Sequence, residues 1–138
     1  EAVPKRAPTL GEIVNDNGWE SLLGDWVDVS TRGEFQVSLS WKIKNQLLEM
    51  SFTEQAGATI ASINIDPSSG EIVHSGINPL GASITGTWDF AIEEGPRFDG
   101  KFLSAEGAEG ELSIQMVPQE NDALLFKIAQ SNISMIRK

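Results

Sequence analysis

The chain contains no cysteine, no tyrosine and only one histidine among its 138 residues. Without cysteine there is no disulfide, no thiolate metal site and no thiol nucleophile, so the fold must rest on its hydrophobic core. The absence of tyrosine removes the phenol that some enzymes use as an acid or an oxyanion donor. Because the residues that usually carry out chemistry are so few, we predict no catalytic residues and rank an enzyme third among the function classes.

Basic residues are also scarce, 10 against 20 acidic residues, which gives a net charge of −10. Phosphate backbones and anionic lipid surfaces repel such a chain, so we expect no nucleic-acid partner. No apolar run approaches the ~20 residues that cross a bilayer as a helix, so we expect no membrane insertion. With 40% hydrophobic residues, a chain of this length is expected to form one domain with its own core.

Residues 1–8 differ from the rest because they carry two prolines and two basic residues without any periodicity. We predict a flexible leader or linker there and a single domain over 9–138. The segment begins at Glu1 without an initiator methionine, and it follows either a removed export signal or the boundary of a cloned fragment. A Pro/Lys/Arg tether before a barrel favours export to the periplasm or the cell exterior.

Short alternating strands fill most of the chain. One face of the first long strand is apolar: Phe35, Val37, Leu39, Trp41 and Ile43. A period of two over this length is typical of a half-buried antiparallel strand. Turn residues recur about every 8–12 residues, as in all-β folds. The predicted strands are 25–31, 34–44, 46–56, 58–66, 71–78, 82–92, 97–104, 109–117, 123–130 and 132–137.

The pattern predicts an all-β fold, an antiparallel up-and-down barrel of about 8–10 strands. Connections are too short for parallel crossovers, and closure would remove the two exposed edges of so large a sheet. Before the barrel, Thr9 and Glu12 match a capping box that starts a short helix. A further turn over 19–23 should end at Gly24, with Leu22 and Leu23 closing one end of the barrel.

The alternation assigns an apolar interior. The residues predicted to line a cavity are Trp41, Met50, Phe52, Ile84, Trp88, Phe90 and Phe126. Two interpretations are open, because a barrel of this size is either filled by side chains or holds one small ligand. Gly86 faces inward and leaves space either for a ligand or for an aromatic ring. The Gly-, Ser- and Thr-rich segment 74–87 is a candidate for the edge of an opening.

Titratable residues offer little sign of chemistry. A zinc site at His74 would need three carboxylates, and a Ser-His-Asp site with Ser75 or Ser83 lacks the turn that presents a nucleophile. Carboxylates cluster near two turns, at Glu93, Glu94 and Asp99 and at Glu106, Glu109 and Glu111. Glutamates in glycine-rich turns are usually solvated, and the residue order of a calcium loop is missing. We therefore predict no metal and no cofactor.

A family resemblance adds to this interpretation. Gly24-Asp25-Trp26 resembles the Gly-x-Trp that begins the first strand of lipocalin-like (calycin) barrels, in which a basic residue near the chain end packs over the tryptophan. Arg137 matches that residue, which implies that Gly24, Trp26 and Arg137 form a structural signature. Some barrels of this type bind haem through a C-terminal histidine, but here only His74 or Met135 could replace it.

Four segments, 22–28, 65–72, 86–88 and the Arg-Lys ending, are similar to an uncharacterised group of exported bacterial lipocalin-like domains. The resemblance covers about residues 19–138. It departs at Ile65, where the group has tryptophan, and at a shortened last hairpin near 130–132. The group carries no assigned activity.

Two function classes remain. The first is a non-enzymatic module that binds a small hydrophobic ligand inside the barrel. The alternative is a structural or accessory domain with a filled barrel and protein–protein contacts through its acidic surface.

Overall fold

The computed structural model describes residues 7–30, 34–55 and 57–138. The elements are helix α1 (Leu10–Asp16), one 3-10 turn (Glu20–Leu22) and the strands β1 (Gly24–Asp28), β2 (Gln36–Ile43), β3 (Leu47–Glu54), β4 (Gly57–Ile65), β5 (Ile72–Ile77), β6 (Ser83–Asp89), β7 (Arg97–Leu103), β8 (Glu109–Gln119), β9 (Ala123–Ile128) and β10 (Ser131–Arg137). Each strand pairs antiparallel with the next, and β1 also pairs with β10, which closes the ring. The predicted fold class is confirmed.

All ten predicted strands are present, with ends within three residues of the prediction. The largest differences are at β1, which ends at Asp28, and at β6, which ends at Asp89. In each case the aspartate accepts a hydrogen bond from the backbone amide two residues on, at Ser30 and Ala91, which turns the chain away from the sheet. Residues 1–6 of the predicted leader over 1–8, the turn residues 31–33 and Ala56 lie outside the described residues.

Helix α1 begins as the sequence predicts. The amide of Glu12 donates to Thr9 Oγ1 and the amide of Thr9 donates to Glu12 Oε1, both at 3.1 Å, which completes the capping box. The following turn ends directly before Gly24, which was expected to stop it. Leu23 ends that turn, and Gly24 opens β1 with φ +123, a conformation that disfavours any residue with a side chain.

The core follows the predicted inward faces with one exception. Val37 and Leu39 of β2 are buried, and Trp41 is partly buried against the core. Ile43 is 57% exposed, although the alternation placed it inside. The register of β2 against β3 shifts between Trp41 and Ile43, and this bulge turns the end of the strand outward.

Phe98, a residue absent from the predicted interior, is completely buried at the centre of the barrel. Its ring lies over Gly86 and Gly100, which face each other across β6 and β7. A Cβ atom at either glycine would collide with the Phe98 ring and with the opposite backbone. The space left by Gly86 therefore holds an aromatic ring rather than a ligand.

Replacing Phe98 by alanine should lower the free energy of unfolding by about 4 kcal/mol, because the loss of the ring would leave a cavity in the packed interior. The matched control is Phe102 on the same strand, which is 37% exposed, and Phe102→Ala should cost about 1 kcal/mol. Urea denaturation of both variants measures the difference. Equal losses would contradict the central role of Phe98.

Arg137 fixes the junction between β1 and β10. Its guanidinium carbon lies 4.0 Å from the centroid of the Trp26 ring, which is the contact that the resemblance implies. Nη1 donates to the Leu23 carbonyl and Nη2 to the Ser21 carbonyl, each at 2.7 Å. Nη2 also pairs with Asp122 at 3.0 Å, and hydrogen bonding by this guanidinium lowers the pKa of the Asp122 carboxyl. One side chain thus joins both ends of the barrel sequence.

Arg137→Lys should lower the free energy of unfolding by about 2 kcal/mol, because an ammonium group cannot make the forked hydrogen bonds and stack on Trp26 together. Arg97→Lys is the control, since Arg97 is exposed and pairs with Asp99 at 3.1 Å on the outer surface. That change should alter stability by less than about 0.5 kcal/mol. Thermal or urea unfolding measures the loss of stability in both variants. Equal losses would contradict the role of the Arg137 guanidinium at the junction of β1 and β10.

Candidate functional site

His74 lies inside the barrel, with only 2% of its surface exposed. Trp88 Nε1 donates to His74 Nδ1 at 3.0 Å, so in the neutral ring the proton sits on Nε2. The Nε2 atom has no hydrogen-bond partner among the described residues. The imidazole packs against the Phe98 ring at a centroid distance of 4.4 Å. Burial lowers the pKa of His74 to about 4, so the ring is neutral at physiological pH.

This environment does not resemble that of a catalytic histidine. A general base of the Ser-His-Asp type has a carboxylate on Nδ1, whereas Nδ1 of His74 accepts from an indole. Ser75 is the next residue along β5 and is exposed. Because successive residues of a strand point to opposite faces, its hydroxyl lies on the outer side of the wall, away from the His74 ring. The sequence hypothesis of a nucleophile beside His74 has no geometric support at Ser75.

The clustered carboxylates lie on the outer surface. The six residues named from the sequence are all exposed: Glu93, Glu94, Asp99, Glu106, Glu109 and Glu111. Asp99 forms an ion pair with Arg97. In the described part of the chain, no group of three or more acidic or histidine side chains is placed to hold a metal ion.

The predicted cavity residues separate into two groups. Met50, Trp88, Phe90 and Phe126 are buried, and Trp41 packs against the same core. They fill the interior because rings from neighbouring strands meet there: Trp88 lies 5.7 Å from Phe98 and 5.8 Å from Phe90 between ring centroids. Phe52 and Ile84 instead line a recess at one end of the barrel.

This recess, which we call the mouth recess, has a volume of about 320 Å³. Its lining residues are Phe35, Phe52, Glu54, Thr59, Ile84, Leu112, Ile128, Ser131 and Ile133. The rings of Phe35 and Phe52 stack with centroids 6.4 Å apart. Phe126 is fully buried and lies within 5.9 Å of both ring centroids, so it forms the floor beneath them.

Three polar side chains belong to the mouth recess. Thr59 is mostly buried, and no hydrogen bond between described residues engages its hydroxyl. The hydroxyl still reaches solvent, because His74 Nε2 is the only fully buried polar side-chain atom without a partner among the described residues. Glu54 is exposed and supplies a carboxylate, and Ser131 supplies a second hydroxyl. The recess therefore combines an apolar surface with two hydroxyls and one carboxylate.

The two ends of the barrel differ in how they are covered. At the closed end, Val14 of α1 and Leu22 pack on the barrel, and Trp19 Nε1 donates to the Phe90 carbonyl at 2.7 Å. At the opposite end, β9 and β10 are joined by the short turn Ala129–Gln130. The barrel wall is lower at β9 and β10 than at the neighbouring strand β8, which continues to Glu109. The mouth recess lies beside this low part of the wall.

Sequence reasoning missed Glu54, Thr59, Ser131 and Ile133 as members of this site. It had placed Phe35, Phe52 and Ile84 on inward faces, but it could not say at which end of the barrel they would meet. The available signal was the shortened last hairpin near 130–132, since a low wall exposes the strand ends around it. The segment 74–87 contributes one lining residue, Ile84.

No protein-family model matches the chain, and no curated protein matches it either. Within residues 7–30, 34–55 and 57–138, no helix has the length and apolar character required to cross a membrane. The closed ten-strand antiparallel barrel is compatible with a lipocalin-like fold.

His74 should make the protein less stable in mild acid. The unfolded chain binds a proton near pH 6.5 while the folded chain binds it near pH 4, so the free energy of unfolding falls as the pH drops between these values. The full loss is about 3 kcal/mol. Urea denaturation across this range should show the slope, and His74→Gln should remove that part of it.

Proton NMR offers an independent check because His74 is the only histidine. Its ring resonances should titrate near pH 4. A midpoint near 6.5 in the folded protein would contradict the buried, neutral imidazole.

Proposed function

We propose that this protein is a non-enzymatic, lipocalin-like binding domain that holds a small apolar molecule in the mouth recess. The observation that carries the proposal is an apolar recess at one end of the barrel, in which the Thr59 hydroxyl makes no hydrogen bond to a described residue. A ligand head group would pair with this hydroxyl while its apolar part covers the rings of Phe35 and Phe52. The ligand site thus lies at the open end of the barrel instead of at its aromatic centre.

The size and charge of the recess restrict the ligand. Its volume of about 320 Å³ falls at the small end of the range of ligand sites, so a short or compact molecule fits best. Glu54 would repel a carboxylate at the rim, particularly in a protein of net charge −10. We therefore favour a ligand with a neutral or cationic head group over a fatty acid.

The finer family assignment is also a proposal. The packing of Arg137 over Trp26 beside Gly24 supports the lipocalin-like signature, and the resemblance to exported bacterial domains supports a location outside the cytoplasm. These motifs are structural, so they support the class of barrel more strongly than any particular ligand.

A second candidate function is an accessory domain that acts by binding another protein. The filled interior favours it, because Phe98, Trp88 and His74 occupy the place where larger barrels hold their ligand. Under this alternative the recess would stay empty, and the outer wall would carry the function.

Titration with 1-octanol, octylamine and octanoate, followed by methyl NMR, tests ligand binding in the recess. Octanol and octylamine should shift the methyl signals of Ile84, Ile128 and Ile133. Octanoate should bind more weakly because Glu54 repels its carboxylate. No shift with any of the three would contradict the proposal and favour the accessory domain.

A pair of variants on β10 gives the matched control. Ile133→Glu places a charge in the recess and should abolish binding, whereas Ile136→Glu changes an exposed residue on the same strand and should leave binding intact. Both variants should retain the dispersed spectrum of the folded protein. Equal affinity in the two would place the ligand elsewhere.

A further inference from the structure

Strand β8 extends beyond its neighbour β9. It pairs with β7 from Gln115 to Glu109, but its pairing with β9 stops at Ile114, opposite Ile128. The chain then turns at Ala129–Gln130 and returns as β10. The segment Glu109–Ser113, which we call the β8 edge, therefore has a strand on one side only among the described residues.

The backbone groups of Glu109, Glu111 and Ser113 point to this open side. In an antiparallel ladder the N–H and C=O of one residue face the same neighbour, and successive residues alternate. The amide of Ala129 donates to the Ser113 carbonyl at 2.9 Å, which fixes the direction of Ser113 and of the residues two and four positions before it. Apart from this bond, the described residues make no hydrogen bond to the β8 edge from that side.

A groove runs along the β8 edge. Its volume is about 600 Å³, and its lining includes Arg97, Asp99 and Lys101 of β7, Glu111 and Leu112 of β8, and Gln130 of the following turn. Leu112 also lines the mouth recess, on the other side of the wall. An extended chain along the β8 edge would lie beside the unpaired backbone groups of β8. Its inward side chains would be within reach of the apolar mouth recess.

The charge of the β8 edge distinguishes between two possible binding partners, a second copy of this chain and a segment of another protein. Glu109 and Glu111 are exposed on the β8 edge, and no ion pair between described residues includes either of them. Pairing with the β8 edge of a second copy would bring four carboxylates together in a complex of two chains that each carry −10. Charged side chains on an edge protect it from such self-association. Arg97 and Lys101 of β7 also line the groove, but they lie one strand further from the open side, so a chain added to the β8 edge meets Glu109 and Glu111 first. A basic segment of another protein is favoured instead.

We propose that the β8 edge binds an extended, basic peptide segment of a partner protein, which adds a short strand to the barrel wall. Main-chain hydrogen bonds to Glu109, Glu111 and Ser113 would provide affinity, and alternate side chains would provide selectivity. Side chains that follow the inward row of Gly110 and Leu112 would be apolar and reach the rim of the mouth recess. Those that follow the outward row would be basic and lie beside Glu109 and Glu111. This site goes beyond the proposed ligand site and does not require it.

The first test uses a synthetic peptide, acetyl-Lys-Val-Lys-Val-Lys-Val-amide, and the amide NMR spectrum of the intact protein. Binding should shift the amides of Glu109, Glu111 and Ser113 and slow their hydrogen exchange. In the free protein these three amides should exchange faster than those of Gly110 and Leu112, which bond to β7. Edge amides already protected in the free protein, or no binding at all, would overturn the proposal.

Two control peptides separate strand addition from general attraction. The same sequence with the lysines methylated at their backbone nitrogens keeps its charge but loses the N–H groups that face the β8 edge in an antiparallel pair, and it should bind roughly tenfold more weakly. The acidic peptide acetyl-Glu-Val-Glu-Val-Glu-Val-amide should not bind. Equal affinity of the methylated and unmethylated peptides would reduce the effect to electrostatics and overturn strand addition.

A variant of the protein tests the same hydrogen bonds from the other side. Glu111→Pro removes the N–H that points to the open side of β8 and leaves the pairing of Gly110 and Leu112 with β7. An edge strand tolerates proline at such a position, because the missing N–H has no partner within the sheet. Glu111→Gln keeps the N–H and removes only the charge. Peptide affinity should fall roughly tenfold for the proline variant and less for the glutamine variant. The reverse order would contradict main-chain pairing.

The peptide site at the β8 edge and the small-ligand site in the mouth recess can be tested independently. Ile133→Glu should abolish octylamine binding while the peptide still shifts the amides of Glu109 and Glu111. If neither probe binds, both proposals fall. If only the peptide binds, the barrel is a protein-docking domain without a small-molecule ligand.

Discussion

The pairing of β1 with β10 closes the barrel through three residue pairs, from Trp26–Arg137 to Asp28–Met135. Without it, β1 and β10 would be the free edges of a large curved sheet, each able to pair with another chain. So short a ladder provides little stabilisation of its own. Arg137 supplements it by stacking on Trp26 and binding carbonyls in the turn before β1. Because these residues are far apart in sequence, the contact forms only when the whole wall is in place.

Closure determines what the interior can contain. The two glycines Gly86 and Gly100 let the Phe98 ring lie flat on the wall, and Trp88 and His74 fill the space beside it. Close-packed interiors leave few voids larger than a water molecule. The centre is therefore unavailable to a ligand, and any binding must occur where the wall is incomplete. That place is the end opposite α1.

The sequence predicted the architecture well because alternation and turn chemistry are local properties. Ten strands, the capping box at Thr9 and the position of Trp26 all follow from residues close together in the chain. The identity of the lining residues depends instead on which rings meet across strands, and this is set by register. Phe98 alternates with the charged Arg97, Asp99 and Lys101, so the period of two is compatible with its burial, but it does not show that the ring meets Trp88 and His74. Ile43 shows the opposite error, since a bulge reverses the face that alternation assigns.

The mouth recess and the β8 edge have the same structural origin. Both exist because β9 and β10 turn back at Ala129–Gln130, below the level that β8 reaches at Glu109. A longer hairpin would pair with the β8 edge and raise the wall beside Leu112 and Ile133. The short hairpin thus leaves apolar surface exposed to water, which is unfavourable, and leaves backbone groups that bond to water and can pair with an added strand. Leu112 lines both sites, so a peptide side chain that reached it would occupy space that a small ligand needs. If both proposals hold, the two ligands would therefore compete, and each would weaken the affinity of the other by the same factor.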